Sequence, residues 1–376
     1  MALGLHQLAL SNELYERLGD DFSFIATEKI TSGRFGVNYE EMADSSPYVI
    51  KAYSSEENKE KAKKILLQSD VIILGSSTDE YYDIAKANEK ALLLIYSERV
   101  FKEGYIKRFI PKTRNSVRKR FFFEHPNVAV LSASAYLKKD LSFFKKDITV
   151  LKWGYFPQVH RFDIDIGKNT GKIKLLWAGR MIDWKRPLDA LALAERLSDN
   201  NIDYEMAVVG DGVYYDRIEK TIKKKHLEKT VVLYKAMPTA ELFEKMKSSD
   251  IFLFTSNFKE GWGAVLNEAM NAGCACVCSH AAGAVPYLVD DGNNGSIYKC
   301  GDINGMYDKV VSLINDRELL QTIRKNAYIT ATEVYNHTVA AQRLISLSEN
   351  FVKNGKIVPF DFGILSESEL LENDWF

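Results

Sequence analysis

No sign of charge dominates this chain. Its 50 lysines and arginines nearly match its 51 aspartates and glutamates, leaving a net charge of −1 over 376 residues. That balance argues against a dedicated nucleic-acid binder, which carries a basic surplus. Cysteine is scarce, and all four lie between Cys274 and Cys300. Cys274, Cys276 and Cys278 alternate, so on a strand they share one face. The spacing is too tight for a disulfide framework and lacks the Cys-x-x-Cys pairs or His partners of a zinc site. They read as small apolar residues on a buried strand in a reducing cytosol. Long apolar runs are missing too. Val71-Ile72-Ile73-Leu74 and Ala91-Leu92-Leu93-Leu94-Ile95 are strand-sized, far short of the ~20 residues a spanning helix needs. The opening Met1-Ala2-Leu3-Gly4-Leu5 has no basic stretch with a long apolar core behind it, so no signal peptide is expected and the chain is assigned to the cytoplasm. No Gly-x-Gly-x-x-Gly follows a strand, which disfavours a dinucleotide-dependent dehydrogenase.

What is present is alternation. Short apolar runs read as strands at 21–26, 70–74, 91–96, 127–132 and 148–152, with helices at 12–17 (after a possible Ser11 cap), 57–68, 79–90 and 135–144 between them. Polar residues and glycine then rise over 157–172, the expected linker. A second series follows, with strands at 173–178, 205–209, 231–234, 251–254 and 275–279. Its helices are expected at 187–199, 214–225, 240–248, 264–272, 303–316, 317–330 and 337–353. Alternating strand and helix predicts parallel sheets covered on both faces, hence an α/β chain of two Rossmann-like domains with the ligand in the cleft between them. The expected boundaries are 1–160 and 170–354, with the tail 355–376 returning to pack on the first domain. Only Leu3 to Leu5 and Ala2 are available for an opening strand before His6, so that strand is expected to be short or cut.

The most informative stretch is Lys259-Glu260-Gly261-Trp262-Gly263-Ala264, leading into 264–272. A strand end turns through glycines into a helix start, where free N–H groups favour an anion. Gly261 and Gly263 let the backbone approach a ligand. Glu260 and Glu268 bracket the turn with seven residues between them. Carboxylates beside an anion site suit hydroxyls, such as those of a sugar or ribose. An ordinary strand–turn–helix with a solvated Glu would carry the same residues. Gly179-Arg180 through Lys185 follows the strand at 173–178. A planar guanidinium and a point charge at a strand end suit a diphosphate, although two solvated surface cations would also account for them. Gly210-Asp211-Gly212 makes a tight turn at the next strand end.

The Glu260–Glu268 pair resembles the Glu-x7-Glu motif of retaining glycosyltransferases of family 4, in the group 1 superfamily with the GT-B fold. Gly179-Arg180…Lys185, Gly283-Ala284-Val285-Pro286 and Asp291-Gly292-Asn293-Asn294-Gly295 are similar to the same family, although Arg186 stands where it often has glycine after the lysine. The resemblance implies transfer of a sugar from a UDP- or GDP-linked donor to a glycan or lipid-linked acceptor, in bacterial surface-polysaccharide synthesis. It implies that Arg180 and Lys185 neutralise the leaving diphosphate, Glu260 meets the donor sugar and Glu268 the ribose. Gly179, Gly210, Gly261, Trp262, Gly263 and Ala264 would line the donor. Gly4, His6, Ser97 and Glu98 would face the acceptor. No cofactor and no metal are expected, although Asp163-Ile164-Asp165 has the Asp-x-Asp form used elsewhere to hold one. Two other readings stay open: a nucleotide-sugar epimerase of the same fold, and a catalytically silent partner of another transferase. Finally, basic and aromatic residues interleave from Arg99 to Phe123, which suits a solvated helix face, an acidic acceptor or an anionic membrane surface; the lipid-linked acceptors of the resembling enzymes favour the last, with a peripheral place on the inner face of the cell membrane.

Overall fold

The computed structural model describes residues 3–29, 39–145, 147–164 and 171–376. The chain divides into two compact units, Met1–Gln158 with Tyr335–Glu372 and Val159–Val334 with Asn373–Phe376.

Unit 1 runs α1 (Leu5–Leu18), β1 (Phe24–Ala26), α2 (Tyr39–Asp44), β2 (Val49–Lys51), α3 (Glu56–Gln68), β3 (Val71–Leu74), α4 (Asp79–Ala87), β4 (Leu92–Ser97), α5 (Pro111–Phe121), β5 (Val128–Ser132), α6 (Leu137–Ser142) and β6 (Val150–Lys152). Strands β3-β4-β5-β6 form one parallel sheet in that order, and β1 with β2 forms a separate parallel pair. Leu92, Leu93, Leu94 and Ile95 are wholly buried, as a central parallel strand with both faces covered requires. Helix α3 starts where Ser55 accepts the Asn58 N–H, and it buries Ala62 and Leu66. Helix α1 starts earlier than expected. Gly4 is its N-cap, its N–H taken by the Gln7 side chain at 3.0 Å, so Ser11 lies inside the helix instead of capping it. Among the described residues no strand precedes α1.

Unit 2 runs β7 (Ile173–Ala178), α7 (Pro187–Asp199), β8 (Tyr204–Val209), α8 (Tyr215–Lys224), β9 (Val231–Tyr234), α9 (Thr239–Lys247), β10 (Ile251–Phe254), α10 (Val265–Asn271), β11 (Ala275–Ser279), α11 (Val285–Leu288), β12 (Ser296–Tyr298), α12 (Ile303–Asn315) and α13 (Arg317–Ile329). Its six strands are parallel in the order β12-β11-β10-β7-β8-β9. The order therefore reverses between β7 and β10, and a crevice opens at the carboxyl ends of those two strands. Cys274, Cys276 and Cys278 are free and buried in and beside β11.

The last helix, α14 (His337–Asn354), belongs to unit 1, not to the unit it follows in sequence. It meets α1, where Thr338 bonds Glu13 at 3.3 Å. Beyond it the chain runs along β6: the Lys152 N–H donates to the Ser366 carbonyl and the Ser368 N–H to the Val150 carbonyl, covering the sheet's open edge.

Candidate functional site

Three loops meet where the strand order of unit 2 reverses. The loop after β7 holds Gly179, Arg180 and a 3-10 turn at Asp183–Lys185. The loop after β8 locks onto it: the Met181 N–H donates to the Asp211 carbonyl at 2.7 Å and the Tyr214 N–H to the Met181 carbonyl at 3.0 Å. Gly210 cannot be replaced cheaply there. Its φ is +153°, and an added Cβ would stand 2.0 Å from the Gly179 carbonyl oxygen. The loop after β10 joins from the other side. The Trp177 indole N–H donates to the Thr255 hydroxyl at 2.8 Å, which donates to the Lys185 carbonyl at 2.6 Å. The Asn257 N–H reaches the Trp184 carbonyl at 2.8 Å. Polar groups that would otherwise be orphaned thus hold the two loops side by side.

That arrangement brings Lys185 and Glu260 into an ion pair, with side chains 12% and 13% exposed. The Ser256 hydroxyl donates to the same carboxylate oxygen at 3.1 Å. Arg180 stays exposed, its guanidinium 5.5 Å from the centre of the Trp184 ring. Glu268, one face of α10, is partly buried. Burial pushes its carboxyl up to about 7, against the pull of the Lys185 charge. Gly263 is required by shape: at φ +96°, a Cβ would lie 2.4 Å from the Phe254 ring.

Two expectations for this segment need correction. The Trp262 side chain does not face a ligand. It is fully buried, and its indole N–H is taken by Asn267 at 2.8 Å. A large aromatic with its polar atom satisfied internally is packing, so only its backbone, with that of Gly261 and Ala264, lies in the turn. The helix is also shorter than expected, seven residues with Ala264 as its N-cap, so its dipole is small. The charged side chains carry most of the electrostatics.

In unit 1 the acceptor-side candidates separate. His6 stacks on Tyr155 with ring centres 5.1 Å apart, and the Tyr155 hydroxyl donates to Glu98 at 2.6 Å. Glu98 also pairs with Lys102. These four gather at the carboxyl end of β4. Gly4 is a helix cap, and the Ser97 hydroxyl bonds the Glu98 carbonyl at 2.9 Å. Tyr155 carried no strong signal in sequence, because only folding brings the turn after β6 beside β4.

The basic–aromatic run is less uniform than its sequence suggests. Arg99 and Phe101 are buried, Arg99 paired with the buried Asp140 at 3.0 Å, and Phe121 is buried beneath α5. The exposed part is a tip before α5: Ile106 at 78%, Phe109 at 65% and Ile110 at 44%. Among the described residues, no helix is long and apolar enough to cross a membrane, and no group of three His, Cys, Asp or Glu could hold a metal. Asp165 of the Asp-x-Asp tripeptide lies outside those residues.

The match to a family model falls on unit 2. Residues 160–330 match the model of glycosyl transferases group 1. That match covers less than half of the chain. The chain is similar to a curated N-acetyl-alpha-D-glucosaminyl L-malate synthase of Bacillus anthracis, 29% identical over 224 residues, which is 57% of this chain and 53% of that one. It is also similar to an uncharacterised glycosyltransferase of Methanocaldococcus jannaschii, 27% identical over 221 residues, 57% of this chain and 58% of the relative. The chain thus spans little more than half the length of these curated relatives. Among solved structures, Anabaena HepE in complex with UDP superposes with a TM-score of 0.66 at 16% identity, covering 91% of this chain and 95% of HepE. The fold of this chain is that of the GT-B glycosyltransferases.

Proposed function

We propose that the protein transfers a sugar from a nucleotide-diphosphate sugar to a glycan or lipid-linked acceptor in bacterial polysaccharide synthesis, with retention at the anomeric carbon. The observation that supports this most is the pairing of Lys185 with Glu260 at the strand-order reversal, with Arg180 on the same loop as Lys185 and Glu268 on α10 within reach of the Lys185 charge, where an open α/β sheet binds its ligand. A diphosphate entering there gives Lys185 a new partner. Lys185 turns from Glu260 to the phosphate oxygens, and Glu260 is left to accept from the sugar's hydroxyls. Glu268 accepts from the ribose. The acceptor oxygen bonds to the anomeric carbon on the face the leaving group departs from. The bond from that carbon to the β-phosphate oxygen breaks, and its electron pair goes to the nucleoside diphosphate. The acceptor's proton passes to a departing phosphate oxygen. Arg180 and Lys185 neutralise the charge that develops there.

This reading assigns the diphosphate's positive partners to side chains and needs no divalent metal. Turnover should persist in excess EDTA and in an Asp163→Ala/Asp165→Ala double variant. Arg180→Ala should lower kcat/KM by ~10²-fold or more. The test is a screen of UDP- and GDP-sugars for transfer, with the anomeric configuration of donor and product compared by NMR. Inversion, conversion of donor alone into its epimer, or near-normal turnover by Arg180→Ala would each overturn the assignment. The His6–Tyr155–Glu98–Lys102 cluster is assigned to the acceptor. The Ile106–Phe109–Ile110 tip with its surrounding cations is assigned to an anionic membrane face.

A further inference from the structure

A set of rings in unit 2 lies behind the Glu260 turn and takes no part in the chemistry above. Residues Asn373–Phe376 belong to unit 2, although the chain up to Glu372 belongs to unit 1. They close on His280, the residue after β11, which is buried. His280 is held at its backbone N–H and at both ring nitrogens. Its N–H donates to the Tyr298 carbonyl at 2.9 Å. Its Nδ1 accepts the Cys300 N–H at 3.0 Å, which leaves the ring proton on Nε2. Nε2–H then donates to the Asn373 carbonyl at 3.1 Å. The Trp375 and Phe376 rings lie 6.4 and 6.3 Å from the imidazole and 5.6 Å from each other.

The other side of that imidazole meets Phe258 edge to face, 5.4 Å between centres at 85°. Phe258 is two residues before Glu260 and is the one apolar side chain in the turn from Asn257 to Glu260. Backbone bonds tie the ends of that turn: Glu260 N–H to the Asn257 carbonyl at 2.9 Å, and Gly283 N–H to the Glu260 carbonyl at 3.3 Å. Its middle rests through Phe258 on His280.

We infer that Asn373 and Trp375 are positioning residues for Glu260. They fix His280, His280 fixes Phe258, and Phe258 sets where the Glu260 carboxylate stands. None of them touches the donor. The inference rests on the reading that Glu260 meets the donor sugar. A carboxylate displaced by about 1 Å loses on the order of 10-fold or more in rate, so a remote ring can matter.

The test uses the full chain with Trp375→Ala and the conservative Trp375→Phe. Amide exchange of residues 257–263 should quicken by roughly 5-fold or more in Trp375→Ala, with β8 unchanged and Trp375→Phe close to wild type. Unaltered exchange at 257–263 overturns the inference, whether or not any nucleotide sugar binds. The second arm separates positioning from general support. Trp375→Ala should raise the donor KM by ~10-fold while the affinity for the free nucleoside diphosphate stays within about 2-fold, and it should add no further loss to Glu260→Ala. Equal weakening of both ligands, or full additivity with Glu260→Ala, also overturns it. If exchange responds as expected and wild type takes no nucleotide sugar, the proposed function fails and the backing of the turn stands.

Discussion

Lys185 stands near two carboxylates and affects them differently. It pairs directly with Glu260, but at Glu268 its charge only partly offsets burial, which holds that carboxyl near 7 instead of its ordinary 4.5. Between those two values the folded chain keeps a proton that the unfolded chain has released. Stability therefore falls as pH rises through that window, and the whole penalty is present above about pH 7. Glu268→Gln should be more stable than wild type at pH 8, by roughly 1–3 kcal/mol, and no different at pH 4. Denaturant titrations at the two pH values check this, and an equal difference at both would remove burial as the cause. The same ionisation bears on binding. Nucleoside-diphosphate affinity should weaken as pH falls below about 7 in wild type and vary less in Glu268→Gln, as calorimetry would read. Gly210 makes a purely steric case: Gly210→Ala drives a Cβ into a backbone oxygen at an unfavourable φ, and should cost roughly 2–4 kcal/mol in denaturant titrations. A cost below half a kcal/mol would mean that the β7 and β8 loops separate easily.

Among the elements, α5 and the tip before it are the most unusual. Pro111–Phe121 holds five cations and no acid, and Ile106, Phe109 and Ile110 stand exposed just ahead of it. Apolar side chains beside a basic helix suit anionic lipid, each cation near such a surface contributing about 1 kcal/mol. Binding to anionic vesicles should weaken by ~10-fold in Phe109→Ser and also in a Lys107→Glu/Lys112→Glu double variant, with salt weakening wild type. Vesicle co-sedimentation that is unaffected by both would leave the tip with no lipid role. Changing Arg99 would test nothing about lipid, because its pairing with Asp140 is part of the core.

For the whole molecule, the two units have separate apolar cores. One is built around Leu93, Ile95 and Val130, the other around Leu175, Trp177 and Leu253. Calorimetry should therefore resolve two unfolding transitions. A nucleoside diphosphate at about 100 times its Kd should stabilise one of them by roughly 2.7 kcal/mol and leave the other in place. A single transition, or an equal shift in both, would show that the units unfold as one.

Strand and helix alternation was legible because apolar runs such as Ile251–Phe254 and Ile173–Ala178 repeat between amphipathic stretches, and local pattern decides local structure. The candidate residues Arg180, Lys185 and Glu260 were legible as charges beside strand ends, and Glu268 as a carboxylate in the helix that follows. The strands β2 and β12, three residues each, were not. Trp262 was included through the resemblance of its segment, and the burial of its side chain against Asn267 depends on packing that sequence does not record. The tail's split between the two units and the backing of Phe258 by His280 and Trp375 join residues far apart in sequence. So does the order β12-β11-β10-β7-β8-β9, which sets the Lys185 loop beside the Glu260 loop. Periodicity along a chain fixes what each segment becomes. Which segments touch is decided by the burial of their faces against one another, and that exists only in the folded chain.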